Sequence, residues 1–164
     1  MSDLKLRKRK RLREKDIKAL NDEVSGRIGF ALDWEKRTID SAEGPDMEAI
    51  FVDGEVQAII MGGKTMMTVR GLLKTPATKG YVTVDMGAVP FVTKGADVMG
   101  PGIIEADPHI QVGDLVWVRD IKFKKPLAIG EALITGPEME AKRPGKAIRS
   151  IHFVGDRLWK YDER

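Results

Sequence analysis

The segment from Val84 to Gly102 constrains the fold more than any other part of the sequence. It reads VDMGAVPFVTKGADVMGPG, so that two Gly-Ala pairs, at 87–88 and 95–96, enclose one short apolar stretch. The aromatic and β-branched residues at 81–84 predict a preceding strand. Gly87 is expected to open about two turns of helix, with Pro90 in the first turn and Gly95 as its left-handed end. The predicted unit is a strand, a short helix and a turn, separated by glycines.

The spacing within this segment predicts which side of the helix is buried. Val89, Val92 and Ala96 recur near i, i+3 and i+7 and are expected to face the core, with Ala88 and Phe91 beside them. A glycine between strand and helix lets another backbone approach closely, and the N–H groups at a helix start attract anions. Both properties would suit a phosphate-bearing ligand such as a nucleic-acid backbone. The alternative, that the glycines only permit tight packing of strand and helix, stays open.

The rest of the second half alternates short apolar runs with Gly and Pro. The predicted strands are Leu115 to Arg119, Leu127 to Leu133, Ala147 to Val154 and a final one at Leu158-Trp159. Short strands punctuated in this way are typical of a small barrel or sandwich.

These residues together resemble the PUA domain, the small RNA-binding domain of pseudouridine synthases and archaeosine transglycosylases. The similarity rests on the Gly-Ala pairs, the run VGDLVWV at 112–118 and Ile129-Gly130. The closing run IRSIHFVGDRLW at 148–159 is similar to the end of the malignant-T-cell-amplified-sequence proteins, PUA proteins linked to ribosomes and translation. The resemblance covers roughly Lys79 to Tyr161, about half of the chain.

The resemblance implies a β pseudo-barrel with short helices that binds RNA without catalysing a reaction. Residues of the central segment match the surface that PUA domains commonly offer to RNA, and nearby basic residues could contact phosphates. The candidate RNA-binding residues are Lys79, Gly87, Ala88, Phe91, Lys94, Gly95, Ala96, Lys146 and Arg149. Phe91 could stack on a base, although a core position is favoured for it. The basic clusters, including Lys122, Lys124 and Lys125, are equally compatible with ordinary solvated loops.

The first half reads as a small α+β domain. Two strand-like runs, 47–52 and 55–61, flank Asp53-Gly54, a strong hairpin signal. A helix is predicted over 12–24 with Gly26 as its end, and alternation of Ile28, Phe30, Leu32 and Trp34 predicts an extended segment. A linker-like stretch at 74–80 places the boundary near residue 77. The expected domains are 1–77, an α+β domain that precedes the PUA domain, and 78–164, a mainly-β PUA domain.

The positive charge of the chain is concentrated at its N-terminus. Residues 1–15 carry eight Lys and Arg against Asp3 and Glu14, whereas the remaining residues carry 20 basic and 23 acidic side chains. Such an arm can contact a polyanion, or it can be a frayed terminus or a strand with one solvated face. Leu4 and Leu6 alternate with basic residues and favour an edge strand, but both interpretations remain open.

The residues needed for a catalytic or metal site are scarce. The sequence has no cysteine and two histidines, His109 and His152, which lie far apart and lack a second local ligand. His152 lies between apolar residues and is expected to be packed or hydrogen-bonded rather than a general base. Asp114, after Gly113, is expected to accept backbone hydrogen bonds in a turn. We therefore expect no cofactor and no enzymatic activity.

The expected function is RNA binding in translation, with tRNA, rRNA or the ribosome as partner. A protein-interaction adaptor is the alternative, since relatives in the family pair with a protein that carries an initiation-factor-like domain. A small enzyme with a site built across both halves is the least favoured class. No apolar run reaches the roughly 20 residues needed to span a membrane, so we expect no membrane partner. The expected protein is a monomer, and the expected compartment is the cytoplasm.

Overall fold

The first five strands form one antiparallel sheet in which sequence neighbours are spatial neighbours. The computed structural model describes residues 3–163. The strands are β1 (Arg7–Arg11), β2 (Ile39–Glu43), β3 (Glu48–Val52), β4 (Glu55–Met61) and β5 (Lys64–Met67). The predicted hairpin between β3 and β4 is confirmed: Asp53 and Gly54 have φ of 50° and 87°, as a two-residue primed turn requires.

Two helices accompany this sheet, α1 (Glu14–Ile28) and α2 (Val69–Leu73). The prediction that α1 ends at Gly26 is wrong, because the helix continues until Gly29, which has a φ of 70°. Ile28 is fully buried, so its burial offsets the modest cost of a glycine inside the helix.

The extended segment predicted from Ile28 to Trp34 is not formed either. Ile28 belongs to α1, and Trp34 begins a 3-10 turn that ends at Lys36. The buried Asn21 side chain accepts a hydrogen bond from the Trp34 N–H at 2.9 Å and fixes this turn beneath α1. The alternation of apolar residues therefore does not indicate a strand, because Ile28 is buried at the end of a helix and Trp34 is buried in a turn.

The basic N-terminal arm forms the edge strand of the sheet. Leu4 is buried, and all five residues of β1 are exposed. The side chains of Arg9 and Arg11 both bond the Asp40 carboxylate of β2, at 3.0 and 2.6 Å. The structure therefore shows an exposed strand at 7–11 rather than a frayed segment, and contact of this strand with a polyanion stays a prediction.

The second sheet contains six strands and surrounds a hydrophobic core formed by residues between Val82 and Ile148. Its elements are β6 (Tyr81–Val84), α3 (Val89–Val92), β7 (Val98–Met99), β8 (Ile103–Ala106), β9 (Leu115–Asp120), β10 (Pro126–Ala132), α4 (Gly136–Glu140) and β11 (Lys146–Phe153). The strand order is β7-β11-β10-β9-β6-β8, with β6 and β9 parallel and the other pairs antiparallel. Only the 3-10 turn Gly100–Gly102 separates the two edge strands β7 and β8 along the chain, so the sheet curls into a nearly closed mixed barrel.

The last helix, α5 (Arg157–Tyr161), lies in the region where the sequence predicts a strand at Leu158-Trp159, and that prediction is wrong. The turn before α5 is set by Gly155, with a φ of 90°, and by the Asp156 carboxylate, which accepts the Phe153 N–H. The Tyr161 ring then meets the Phe51 ring edge-on at 6.0 Å, and the Arg70 guanidinium lies 3.9 Å above the half-buried Trp159 ring. The apolar residues of this segment therefore belong to a short helix, which packs on β3 through Tyr161.

The chain divides into two compact units by its contacts. The first unit comprises residues 3–77 with 157–163, and the second comprises residues 78–156. The division into domains 1–77 and 78–164 stays a prediction, and α5 is the element on which the two divisions differ.

Candidate nucleic-acid interface

The turn after β6 is built by Asp85. Its carboxylate accepts the Ala88 N–H at 2.9 Å, and this closes the turn that exposes Gly87. One of the N–H groups that the sequence offered as anion contacts, that of Ala88, is therefore already bonded to a carboxylate of the same turn. What remains for a ligand is the open backbone around Gly87, where a Cβ would meet only the Asp85 carboxylate, at 3.2 Å.

Helix α3 is shorter than predicted and presents a different face. It contains four residues, with Pro90 in its first turn as expected. Val92 is buried and Val89 packs against the core, but Phe91 is 66% exposed and Ala96 is also exposed. The predicted core positions of Phe91 and Ala96 are wrong, because a single helical turn can direct only one narrow side inward. Phe91 is consequently available to a ligand.

Gly95 holds the chain that leaves α3. Its φ is 91°, the left-handed conformation that the sequence predicts. A Cβ on this residue would lie 2.7 Å from Cε1 of the Phe153 ring on β11. Gly95 thus has a packing role in addition to any contact with RNA, and Lys94 beside it is exposed.

Lys146 and Arg149 lie on β11, on the strand that pairs with β7. The Lys146 Nζ lies 3.1 Å from the Asp97 carboxylate, and the Arg149 Nε lies 3.2 Å from the Glu131 carboxylate. The hydrogen bond from the Ser150 N–H, followed by the one from Lys146, lowers the pKa of Asp97 below its ordinary value. Asp97 therefore ties the segment after Gly95 to β11, and each of the two cations already faces a carboxylate.

Lys79 lies apart from the other candidates. It precedes β6, and its carbonyl accepts the Trp117 Nε1–H at 2.8 Å. Gly87 follows the opposite end of that strand, which spans roughly 13 Å for four residues at about 3.3 Å each. The structure therefore brings Gly87, Ala88, Phe91, Lys94, Gly95 and Ala96 together on one stretch of surface, with Lys146 and Arg149 on the neighbouring strand β11 and Lys79 at the far end of β6.

Sequence reasoning missed one exposed aromatic side chain. Phe123, on the loop between β9 and β10, is 69% exposed. The signal lies in the run Lys122-Phe123-Lys124-Lys125, an aromatic residue among lysines, of which only the lysines enter the sequence-based prediction.

The two histidines and Asp114 occupy structural positions. His152 is 2% exposed and its Nδ1 lies 2.8 Å from the Asp156 carboxylate, which confirms a packed, hydrogen-bonded histidine. The Asp114 carboxylate accepts the Gln111 N–H at 2.8 Å, as predicted for the turn. Within residues 3–163, no three His, Asp or Glu side chains converge as metal ligands would, and no helix is long and apolar enough to cross a membrane.

Comparisons with known proteins agree with this geometry. The PUA-domain family model matches residues 80–154. An uncharacterized protein of Methanocaldococcus jannaschii is 39% identical over 162 residues, which cover 96% of this chain and 99% of that protein. The crystal structure of a hypothetical protein from Pyrococcus horikoshii superposes with a TM-score of 0.84 at 34% identity and covers 94% of this chain and 99% of that one.

Two further relatives match a smaller part of the chain. Translation machinery-associated protein 20 of Saccharomyces cerevisiae is 32% identical over 116 residues, 67% of this chain and 64% of that protein. The malignant T-cell-amplified sequence 1 homolog of Drosophila melanogaster is 35% identical over 101 residues, 60% of this chain and 56% of that protein. The matched region therefore spans less than two thirds of these two relatives.

The mixed barrel with its short helices is a PUA-like fold. The chain belongs to the PUA-domain family, among whose members it is similar to translation machinery-associated protein 20 and the malignant-T-cell-amplified-sequence proteins. The resemblance predicted from the Gly-Ala pairs and the closing segment is thereby confirmed.

Proposed function

We propose that this protein binds RNA through its second unit and acts in translation as a binding protein rather than as a catalyst. The observation that carries the proposal is the surface of α3, where Phe91 is largely exposed beside Lys94 and the open backbone of Gly87. An aromatic face, a cation and an accessible main chain are the groups that contact bases, phosphates and sugars.

The chemistry of these groups favours structured RNA with an accessible loop or end, such as tRNA or rRNA. Lys94 has no carboxylate partner at ion-pair distance among residues 3–163, so its charge is available to a phosphate. Lys146 and Arg149 face carboxylates on this unit and would have to exchange those partners for phosphate, which makes them weaker contributors. The name of one relative, translation machinery-associated protein 20, supports the ribosome as the setting and the cytoplasm as the compartment.

The proposal predicts a localised effect of charge. Lys94→Glu should weaken binding of a tRNA or rRNA fragment by about tenfold at low salt and make the decline of log affinity with log salt shallower by about one phosphate contact. Fluorescence anisotropy with labelled RNA, measured across a salt series, gives both quantities.

Lys79→Glu is the matched control, because Lys79 carries the same charge at the far end of β6. An equal loss in Lys79→Glu and Lys94→Glu would show that only the overall charge of the unit matters. If the unaltered protein binds no RNA at any salt concentration, the proposed function itself is wrong.

A protein-adaptor role is the second candidate, and one feature of the first unit favours it. An open groove of about 550 Å³ is lined by the side chains of Phe30, Leu32 and Lys74, among others. A protein complex that survives nuclease and high salt, and is lost in Phe30→Asp, would support this role instead.

A further inference from the structure

The loop between β9 and β10, Ile121 to Lys125, is held in one shape by a buried carboxylate. The Asp120 side chain accepts the Phe123 N–H and, at 3.3 Å, the Lys125 N–H, and Asp120 is only 4% exposed. Its main-chain carbonyl also accepts the Lys124 N–H at 3.1 Å. Because the N–H groups of Phe123 and of the two residues after it are bonded to Asp120, the loop backbone fixes the direction in which the Cα–Cβ bond of Phe123 points.

Phe123 is presented to solvent among cations. At 69% exposure it is more open than any other large hydrophobic side chain in residues 3–163. The Lys122 ammonium lies 5.2 Å from the ring centroid, and Lys124 is bonded to Glu105 at 2.7 Å. Lys122 and Lys125 have no carboxylate partner at ion-pair distance in the described part of the chain. A flat π surface next to free positive charge is complementary to a base joined to its phosphate.

The loop begins beside the proposed interface. Strands β6 and β9 run parallel, with Val84 paired to Asp120, and the Ile121 N–H donates to the Val84 carbonyl at 3.0 Å. The turn with Gly87 and the loop with Phe123 therefore leave the same end of the sheet, from adjacent strands. A single nucleic-acid strand can reach both.

We propose that Phe123 is a base-stacking platform, and that the RNA recognised by this unit has at least one unpaired nucleotide there. This inference rests on the proposed function and deepens it by naming the class of RNA. A duplex keeps its bases stacked inside, so only single-stranded, looped or terminal nucleotides offer a free face to the ring. A protein partner fits the loop less well, because covering Phe123 would remove water from three lysines around it.

The test uses short RNAs that contain a fluorescent adenine analogue whose emission is quenched when it stacks. On the full chain, Phe123→Ala should weaken binding of a single-stranded RNA about tenfold and abolish the quenching, while the dependence of affinity on salt stays unchanged. Phe123→Trp should retain both affinity and quenching, because its ring also stacks. A duplex of the same sequence should bind equally to the unaltered protein and to Phe123→Ala.

Val112→Ala is the control for loss of an exposed apolar side chain, since Val112 is 63% exposed and precedes β9, away from the loop. Unchanged single-strand affinity in Phe123→Ala, or an equal loss in Val112→Ala, overturns the stacking inference while leaving RNA binding intact. Absence of RNA binding by the unaltered protein instead overturns the proposed function, so the two failures are distinguishable.

Discussion

Gly95 shows how a single residue can belong both to a binding surface and to the packing beneath it. Its φ of 91° is unfavourable for any residue with a Cβ, and the Phe153 ring occupies the space that a Cβ would need. A loss of RNA affinity on substituting Gly95 would therefore not by itself identify a contact with RNA.

Substitution of Gly95 separates these two effects when stability is measured. Gly95→Ala should lower the free energy of unfolding by about 2–3 kcal/mol, from backbone strain and the clash with Phe153 together. Gly145→Ala is the matched control, because Gly145 has a similar φ of 95° and a Cβ there would meet nothing within 4 Å beyond its chain neighbours. Gly145→Ala should lower the free energy of unfolding by only about 1 kcal/mol. Urea denaturation of both variants measures the difference, and equal losses would show that Phe153 moves aside.

At the scale of elements, Asp97 joins the segment after α3 to β11. Its carboxylate accepts the Ser150 N–H at 2.9 Å and lies 3.1 Å from the Lys146 Nζ. Since this pairing stabilises the charged form, the pKa of Asp97 is lowered, chiefly by the Ser150 hydrogen bond and then by Lys146. The attachment of the segment after α3 to β11 therefore depends partly on an ionised carboxylate.

The stability supplied by Asp97 should depend on pH in a defined direction. A group whose pKa is lowered on folding stabilises the protein above its ordinary value, 3.8 here, and this contribution disappears as the pH falls through the lower folded value. Asp97→Asn should therefore be less stable than the unaltered protein at neutral pH, by on the order of 1 kcal/mol, and the difference should shrink in acid.

Lys146→Gln tests whether the Ser150 hydrogen bond lowers the pKa of Asp97 more than Lys146 does. It removes the ion pair but keeps the Ser150 hydrogen bond, so most of the acid-dependent difference should remain. Thermal denaturation between neutral pH and pH about 3 measures these effects. A difference between Asp97→Asn and the unaltered protein that does not change with pH would contradict this account.

The elements that sequence reasoning locates are those whose pattern is local. Alternation and β-branching predict β6, β9 and β10, and Asp53-Gly54 predicts its hairpin, because each signal is complete within a few residues. Phe91 is misplaced because periodicity assumes a helix of several turns, and α3 has one. Leu158-Trp159 is misassigned because the partners of α5, Phe51 and Arg70, are about a hundred positions away. The sequence predicts the interface around α3. It does not predict the exposure of Phe123, because that exposure depends on a loop shape that the buried Asp120 carboxylate determines.

At the scale of the whole molecule, the chain passes from the first unit to the second and returns. The closing helix α5 packs on the first unit, where the Val56 N–H donates to the Asp162 carboxylate at 3.2 Å and Tyr161 meets Phe51. Burial raises the pKa of Asp162, against the opposing influence of the Val56 hydrogen bond. The residues of α5, which the resemblance seen in the sequence includes in the PUA-like half, thus pack on the first unit.

Removal of residues 157–164 should therefore destabilise the first unit selectively. Leu158 is 7% exposed and the Tyr161 ring packs on Phe51, so their loss should cost at least about 2 kcal/mol. Hydrogen exchange followed by mass spectrometry should show faster exchange at Val56 and its neighbours in β4, with no change in β10. Faster exchange in β10 instead would favour the division into domains 1–77 and 78–164.

The edge strand β1 has a consequence for how copies of the chain behave toward one another. An unprotected sheet edge offers a row of unpaired N–H and C=O groups onto which another molecule can add a strand, and growth of this kind leads to aggregates. Along β1, every side chain carries positive charge, and the register breaks at Lys8, which has a φ of 54°. Two such strands would repel each other, and the register shift would interrupt their pairing, so we expect the same residues that give the N-terminus its charge to oppose edge-to-edge association of copies.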